Sequence, residues 1–554
     1  MARAARRPPQ RGMSTISMAL AAILMLAPTL AAAAPGVSKL WGAAGEAWNP
    51  AGRLPNFSFA GYRQGGVPLP TPPATRSVLD FRRAGGTDTQ MLQDALAWAH
   101  AQPVDPNAYL VLTISAGAYT LTEKLVIKRS RLVLRGAGMG ATVLQVPKSL
   151  TDIYGPNKDT DWGGYVNAGA FISVSGKTQK GVQVAQITGV ANRGDYTVTV
   201  NNPAFLTVGE IFDIWFTDIN GRFNSAMFDG KADPPPKFNG KTWTRFSPRV
   251  LQIVGNRVTL ERPLPYPIAP DVCRAAFYRR PATTEEERGW SGVELMNGVQ
   301  AIYICVSPYS PHHLLFIFGL QERGWSGVEL MNGVRNCWVK DIELINPDNG
   351  VMVNYMVSQA TIRNIRIRYT APRGNNIPNA HNQPTDADGH WGLVYSFAQD
   401  ILFDGWDFIG TLEHDVGTGF AGQFGVFMNG LSSDGNLDLH RGLAGPTLYT
   451  NINVGKGSKA LLSGGPKSAG PNSVAFSTWW GITAAQPVAP NKSDKKPGDC
   501  SFGPSINLVG LTLGSTAGMC PSWFYEPAPL APTNLYAAQL ARRQAARSAG
   551  ALAG

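Results

Sequence analysis

Three short segments recur with one pattern, and they constrain the fold more than anything else in the chain. Gly327-Val328-Glu329-Leu330 precedes an apolar run at 339–344. Gly350-Val351-Met352-Val353 precedes one at 362–367, and Gly392-Leu393-Val394-Tyr395 precedes one at 403–408. The first two copies start 23 residues apart; the third is displaced by an Asn-, Pro- and Asp-rich loop at 371–389. A repeat of this length cannot bury its apolar face alone, so it stacks on its neighbours as a solenoid. Within the runs, Ile342 and Leu344, and Ile365 and Ile367, stand two apart, which points them into the coil. Later runs at 448–454, 474–480 and 506–513 continue the pattern.

The composition agrees. With 554 residues, 61 glycines and 41 prolines but only 16% charged residues, the chain suits a turn-rich β architecture better than a helical bundle. Its formal charge is +11, of which Arg3, Arg6, Arg7 and Arg11 lie in a leader, leaving +7. That surplus is compatible with an acidic polymer. It lacks the clustered basic stripe of a nucleic-acid binder.

The leader (1–34) has an Arg-rich start, an apolar run at 18–30 and a small-residue end, Ala31-Ala32-Ala33-Ala34, before Pro35. This is the pattern of a secretory signal peptide, so the expected location is extracellular or cell wall, with no membrane association after cleavage and a monomeric product. Residues 35–79 form an N-terminal extension with a Pro-rich linker. Asn56 and Asn491 head glycosylation tripeptides, which also arise by chance. Of five cysteines, Cys500 and Cys520 flank a Gly/Pro-rich segment and are the expected disulfide; no CxxC pair suggests zinc.

Residues 80–179 open with a helix, Asp88 as its N-cap and Met91, Leu92, Ala95, Leu96 and Ala99 at helical spacing, followed by short β-branched runs at 109–114, 125–127, 132–134 and 142–146. Phe81 to Gln90, Ser115-Ala116-Gly117-Ala118-Tyr119 and Leu134-Arg135-Gly136-Ala137-Gly138 resemble the opening of pectin-lyase-like proteins, in the pectate-lyase/polygalacturonase-related group. The resemblance, spanning about 80–515, implies an all-β fold: a right-handed parallel β-helix whose ends are closed by short helices. It also implies action on an extracellular or cell-wall polysaccharide, as a polysaccharide lyase or a glycoside hydrolase. The alternative is a non-catalytic glycan-binding or wall-structural β-helix. A lyase of this group would call for Ca2+; the residues themselves mark no metal site.

Residues 180–286 alternate like antiparallel strands, with Gly255-Asn256 as a hairpin turn, and read as an inserted β subdomain. Its aromatic loop (Phe223, Phe228, Phe238, Trp243, Arg245, Phe246) would either wall a sugar cleft or bury itself. The thirteen residues 287–299 recur unchanged at 322–334. Identity without drift marks 287–321 as a recent duplication, and its spacer, including Cys305, His312 and His313, carries no coil pattern. The main β-helix then runs over 322–530, and 531–554 form a C-terminal helix and tail, suited to capping an open end.

Candidate chemistry concentrates in one window: Gly389-His390-Trp391-Gly392, Glu413-His414-Asp415 and Asp438-Leu439-His440-Arg441. Three of the seven histidines fall there. His390, His414 and His440 are candidate acids or bases, Asp415 and Asp438 orienting carboxylates, and Arg441 a clamp for a substrate carboxylate. Trp391 and Trp479 are candidate sugar-stacking platforms. Asp386 and Asp388 in the loop read as turn residues. Against the polygalacturonase pattern, Asn346-Pro347-Asp348 and Gly389-His390-Trp391-Gly392 stand in for two elements, the Asp-Asp pair is missing, and Arg366-Ile367-Arg368 precedes the histidine. No catalytic family's motif set transfers. The best grouping is His414-Asp415 with Asp438, His440 and Arg441, with His390 joining from an adjacent loop at a different corner.

Overall fold

The computed structural model describes residues 36–148, 150–154, 169–176, 180–280, 293–294, 301–306, 326–369, 387–489 and 500–549. The leader, the spacer histidines His312 and His313, most of the 371–389 loop with Asp386, and the tripeptide at Asn491 lie outside them.

The strands stack into three parallel faces. Face one is short: Arg76–Ser77, Leu110–Ile114 and Leu132–Gly136. Face two is the longest. It runs from Gly117–Thr120 through Trp338–Ile345, Thr361–Arg368, Leu402–Ile409, Val426–Ser432, Leu448–Asn453 and Thr478–Thr483 to Phe524–Glu526. Face three holds Leu125–Ile127, Ala170–Ser175, Ser326–Met331, Asn349–Asn354, Gly389–Ser396, Leu412–Thr418 and Leu437–Leu439. The chain is a parallel β-helix, and the recurring segments align as the sequence predicts: Val328 pairs with Val351, Val351 with Leu393 and Leu393 with Val416.

Period two explains the interior. Ile342, Leu344, Ile365 and Ile367 are all buried in one continuous core. Further along, face two lines that core with a column of rings: Phe403 on Phe427 at 4.4 Å, Phe427 on Tyr449 at 5.3 Å and Tyr449 on Trp479 at 5.2 Å. Each coil also carries a corner within face two. Asp341, Asn364, Gly405, Asn429, Asn451, Gly481 and Gly510 all have positive φ, between 53° and 82°, and the ladder register omits Asp341, Asn364, Gly405 and Asn429. Only Gly, Asn and Asp adopt this conformation readily. The amides also bond along the axis, Asn364 Nδ2 to Asp341 Oδ1 at 2.7 Å and Asn451 Nδ2 to Asn429 Oδ1 at 2.8 Å.

The first helix, Asp88–Ala101, buries its predicted apolar face into the coil core. Its cap differs from expectation. Thr87 is the N-cap, in a capping box with Gln90, while the Asp88 carboxylate accepts from Arg82 and from the Thr120 N–H. The C-terminal helix, Leu535–Ser548, does not plug an end. Leu535 and Tyr536 pack with Trp41 and Phe57 against Leu402, Val426, Leu448, Trp480 and Val509, along the flank of face two. Gln539, Tyr536 and Arg543 bond the backbone of Pro55, Phe57, Ala60 and Gln64, because the amphipathic stripe has a partner in the N-terminal extension.

The region after 180 forms two antiparallel sheets, and Gly255-Asn256 turns the hairpin between Val250–Val254 and Arg257–Leu260 within the smaller one. Phe223, Phe228, Phe238 and Phe246 bury each other in a second core that also takes Phe424, Leu443 and Val474 of the solenoid. The self-burying alternative holds for these four rings. We expected no coil in the duplicated spacer; the backbone of Ala301–Val306 nonetheless pairs in parallel with Met139–Val146 on one side and Trp338–Ile345 on the other. Cys500 and Cys520 form a disulfide, while Cys273 and Cys337 are free and buried.

Candidate functional site

Gly389–Ser396, Leu412–Thr418 and Leu437–Leu439 are consecutive strands of face three, so residues far apart in sequence become neighbours. Trp391 pairs with His414 and Gly417 with Asp438. The ring of Trp391 stacks on His414 with centroids 4.1 Å apart, and His440 lies 5.2 Å from Trp391 and 5.0 Å from His414. The ring of His390 lies 5.5 Å from His414. His390 and His414 therefore share one face, on adjacent strands, rather than occupying different corners.

Asp438 organises the group. Its carboxylate is fully buried, and its Oδ2 lies 2.7 Å from His440 Nδ1 and 3.3 Å from His414 Nδ1. Oδ1 accepts the Gly464 N–H at 2.8 Å, and the main-chain oxygen accepts the Tyr449 hydroxyl at 2.6 Å. Two glycines make room. A Cβ on Gly464 would stand 2.7 Å from the His440 ring and 2.8 Å from the His414 ring; on Gly417 it would stand 2.6 Å from Trp391. Burial pushes the Asp438 carboxyl up, but the two imidazoles outweigh it and hold the group down at about 2. Burial pushes His414 down to about 4, against the pull of Asp438, which leaves that imidazole neutral at pH 7.

Two expected members point elsewhere. The ladder pairs Trp391 with His414 and Leu393 with Val416 but skips Asp415, and Val416, two residues beyond His414, lies in the coil core, so the strand bends at Asp415 instead of alternating through it. The Asp415 carboxylate is buried there: its Oδ2 accepts the Asn436 N–H at 3.0 Å and lies 3.9 Å from Lys459 Nζ, and burial raises it to about 6. It stands where earlier coils carry glycine (Gly327, Gly350, Gly392). His440 likewise faces the cluster while Arg441 does not. The Arg441 guanidinium is buried and donates to the carbonyls of Gly465 and Gly470, so it braces a turn rather than clamping a substrate. Trp479 is a third correction. It is 0% exposed, inside the ring column between Tyr449 and Phe502, and offers no platform. Gly464 and Tyr449, which hold Asp438, were not expected. Asp438 and His440 do share a face because they stand two apart, a spacing visible in the sequence.

A parallel β-helix with an imidazole–carboxylate–imidazole group on one face is the class this fold and site define, the architecture that the pectin-lyase-like resemblance implied. No protein-family model matches the chain, and no curated protein sequence matches it. Among solved structures, the tailspike protein gp49 from Pseudomonas phage LKA1 is 13% identical with a TM-score of 0.45, the match covering 76% of this chain and 63% of the tailspike. The chain thus spans less than two thirds of that protein's length. An exopolygalacturonase from Thermotoga maritima is 13% identical (83% and 80% covered, TM-score 0.32). The A-module of the Azotobacter vinelandii mannuronan C-5 epimerase AlgE4 is 11% identical (82% and 86% covered, TM-score 0.26).

Proposed function

We propose that the protein is a secreted carbohydrate-active β-helix that cleaves an extracellular or cell-wall polysaccharide, by β-elimination on a uronate-containing chain. The observation that supports this reading is the Asp438–His440 bond: a fully buried carboxylate fixed to an imidazole whose side chain remains 30% exposed. The carboxylate holds the Nδ1–H tautomer, which leaves Nε2 as the proton acceptor. His440 Nε2 then takes the proton from the carbon beside the uronate carboxyl. The electron pair forms the new C=C bond and the glycosidic oxygen leaves, protonated by the imidazolium or by water.

Hydrolysis would ask for two carboxylates facing each other across the bond, about 5–5.5 or 6.5–9.5 Å apart. Here Asp438 is shared between imidazoles and Asp415 faces inward, so elimination is the better match. Incubation of the leaderless protein with polyuronates and with neutral glycans tests the reading. Unsaturated, UV-absorbing products support it. New reducing ends without them indicate a hydrolase, and retention on the polymer without cleavage indicates a binding module; either result sinks it.

A further inference from the structure

We infer that His414, Asp438 and His440 form a binding site for a divalent transition-metal cation of the Zn2+ class, which competes with the proton held between Asp438 and His440. The inference deepens the reading above by adding a regulator at the same side chains, and its test does not require catalysis.

The geometry comes first. One ligand atom from each residue lies within 4.8 Å of the other two. His414 Nδ1 and Asp438 Oδ2 are 3.3 Å apart, which is about the edge of a tetrahedron whose bonds are about 2.0–2.1 Å long. The second observation concerns His414 alone. Only 11% of its side chain is exposed, yet Nδ1 has no hydrogen-bond partner among the described residues, although a carboxylate oxygen lies at that distance. A buried ring nitrogen without a partner is costly, and a cation between it and Asp438 would satisfy both.

The surroundings resemble what a metal ligand needs. Asp438 Oδ1 is held by the Gly464 N–H, and the His414 ring is fixed by the Trp391 stack, so two of the three ligands are oriented before any ion arrives. The edge of His440 that meets solvent gives an entry path. Two imidazoles with one carboxylate favour a borderline cation over Ca2+, which takes six to eight oxygens.

Binding moves a proton. A neutral His440 surrenders its Nδ1 hydrogen to coordinate the cation and carries one on Nε2 instead. The nitrogen that accepts a proton in the metal-free site then becomes a donor, so bound metal suppresses base catalysis.

The test is calorimetric titration of the leaderless protein with Zn2+, Co2+ and Ca2+ at pH 7, with visible spectra of the Co2+ form. We expect one equivalent of Zn2+ or Co2+, the d–d bands of a four-coordinate Co2+ ion, and much weaker Ca2+ binding. His414→Ala and Asp438→Asn should each weaken Zn2+ binding by at least the roughly 10–100-fold that loss of an outer-shell partner causes. His440→Gln, at the least buried ligand, serves if Asp438→Asn fails to fold. His390→Ala should bind normally. No saturable binding, equal affinity for Ca2+, or unchanged affinity in His414→Ala and His440→Gln overturns the inference. Metal binding without polysaccharide cleavage supports the inference and sinks the functional reading; cleavage without metal binding does the reverse.

Discussion

Asp438 Oδ2 and His440 Nδ1 meet at 2.7 Å across the end of a face-three strand, with the carboxylate fully buried and the imidazole partly in solvent. A proton-transfer group of this kind contributes about 10²–10⁴-fold. His440→Ala should lower kcat on a cleaved polyuronate by that range, with some loss of thermal midpoint because the buried Asp438 carboxylate keeps only His414 of its two imidazoles. Arg441→Lys should instead lower stability with a smaller effect on rate, since Arg441 holds the turn carbonyls of Gly465 and Gly470. Parallel rate and melting measurements on the two variants separate the roles.

Trp479 gives the opposite signature. It is enclosed by Tyr449 and Phe502 inside the coil. Trp479→Ala should cost about 3–5 kcal/mol in urea unfolding, as large-to-small changes at buried aromatics do. Affinity for polysaccharide, measured on the folded fraction, should not change.

Gly392 probes the tight corner beneath the site. A Cβ there would stand 2.3 Å from the Asp415 carbonyl oxygen and 2.4 Å from the Phe408 ring. Gly392→Ala should therefore destabilise by about 1–3 kcal/mol through overpacking. A Cβ on Gly405 would meet nothing closer than 3.8 Å, but its φ is 82°, so Gly405→Ala should cost about 1–2 kcal/mol through backbone strain alone. Denaturant midpoints compare the two mechanisms within one fold.

The buried ion pair at Asp213 sets an acid limit. Burial works to raise this carboxyl, but Arg280 at 2.6 Å and Arg245 at 3.6 Å outweigh it and hold it well below the usual carboxylate range. A group lowered on folding contributes stability that is complete above its unfolded value of about 3.9 and is lost as pH falls through its folded value. Wild-type stability should fall below about pH 4, and Asp213→Asn should flatten that slope. At pH 7 the variant should lose about 3–5 kcal/mol, because two guanidinium groups are left beside an uncharged amide. Thermal midpoints from pH 7 downward check both the slope and the offset.

Reduction of Cys500–Cys520 tests the distal coils. The bridge spans 20 residues, and opening a loop of that size should cost about 3 kcal/mol in the chain-entropy model. Urea unfolding with and without reductant measures it.

The coils were legible because period two and the recurring Gly-Val/Leu segments fix which residues line the interior; Ile342, Ile365 and the register of Val328, Val351 and Leu393 follow from that alone. The site was legible in part. His414, Asp438 and His440 stand out as titratable residues in one window, and strand alternation separates His440 from Arg441, whereas His414 and Asp415 are parted by a bend that alternation does not predict. Gly464 carries no mark in the sequence, since its contribution is a backbone N–H delivered by a turn. Trp479 looked like a platform because it stands beside Trp480, and period two alone does not say which of two adjacent tryptophans faces the coil interior. The flank position of the last helix depends on long-range partners, whereas the Thr87–Gln90 capping box is a local pattern from which Arg82 and the Thr120 N–H draw Asp88 away.

The strap formed by the C-terminal helix and the N-terminal extension touches Leu402, Val426, Leu448, Trp480 and Val509, residues from five successive rungs. An unbraced solenoid approximates a one-dimensional chain of nearest-neighbour units and can fray from either end. Here the two termini act as a splint that couples distant rungs, so these coils should melt as one cooperative block, and deleting 535–554 should turn a single transition into several.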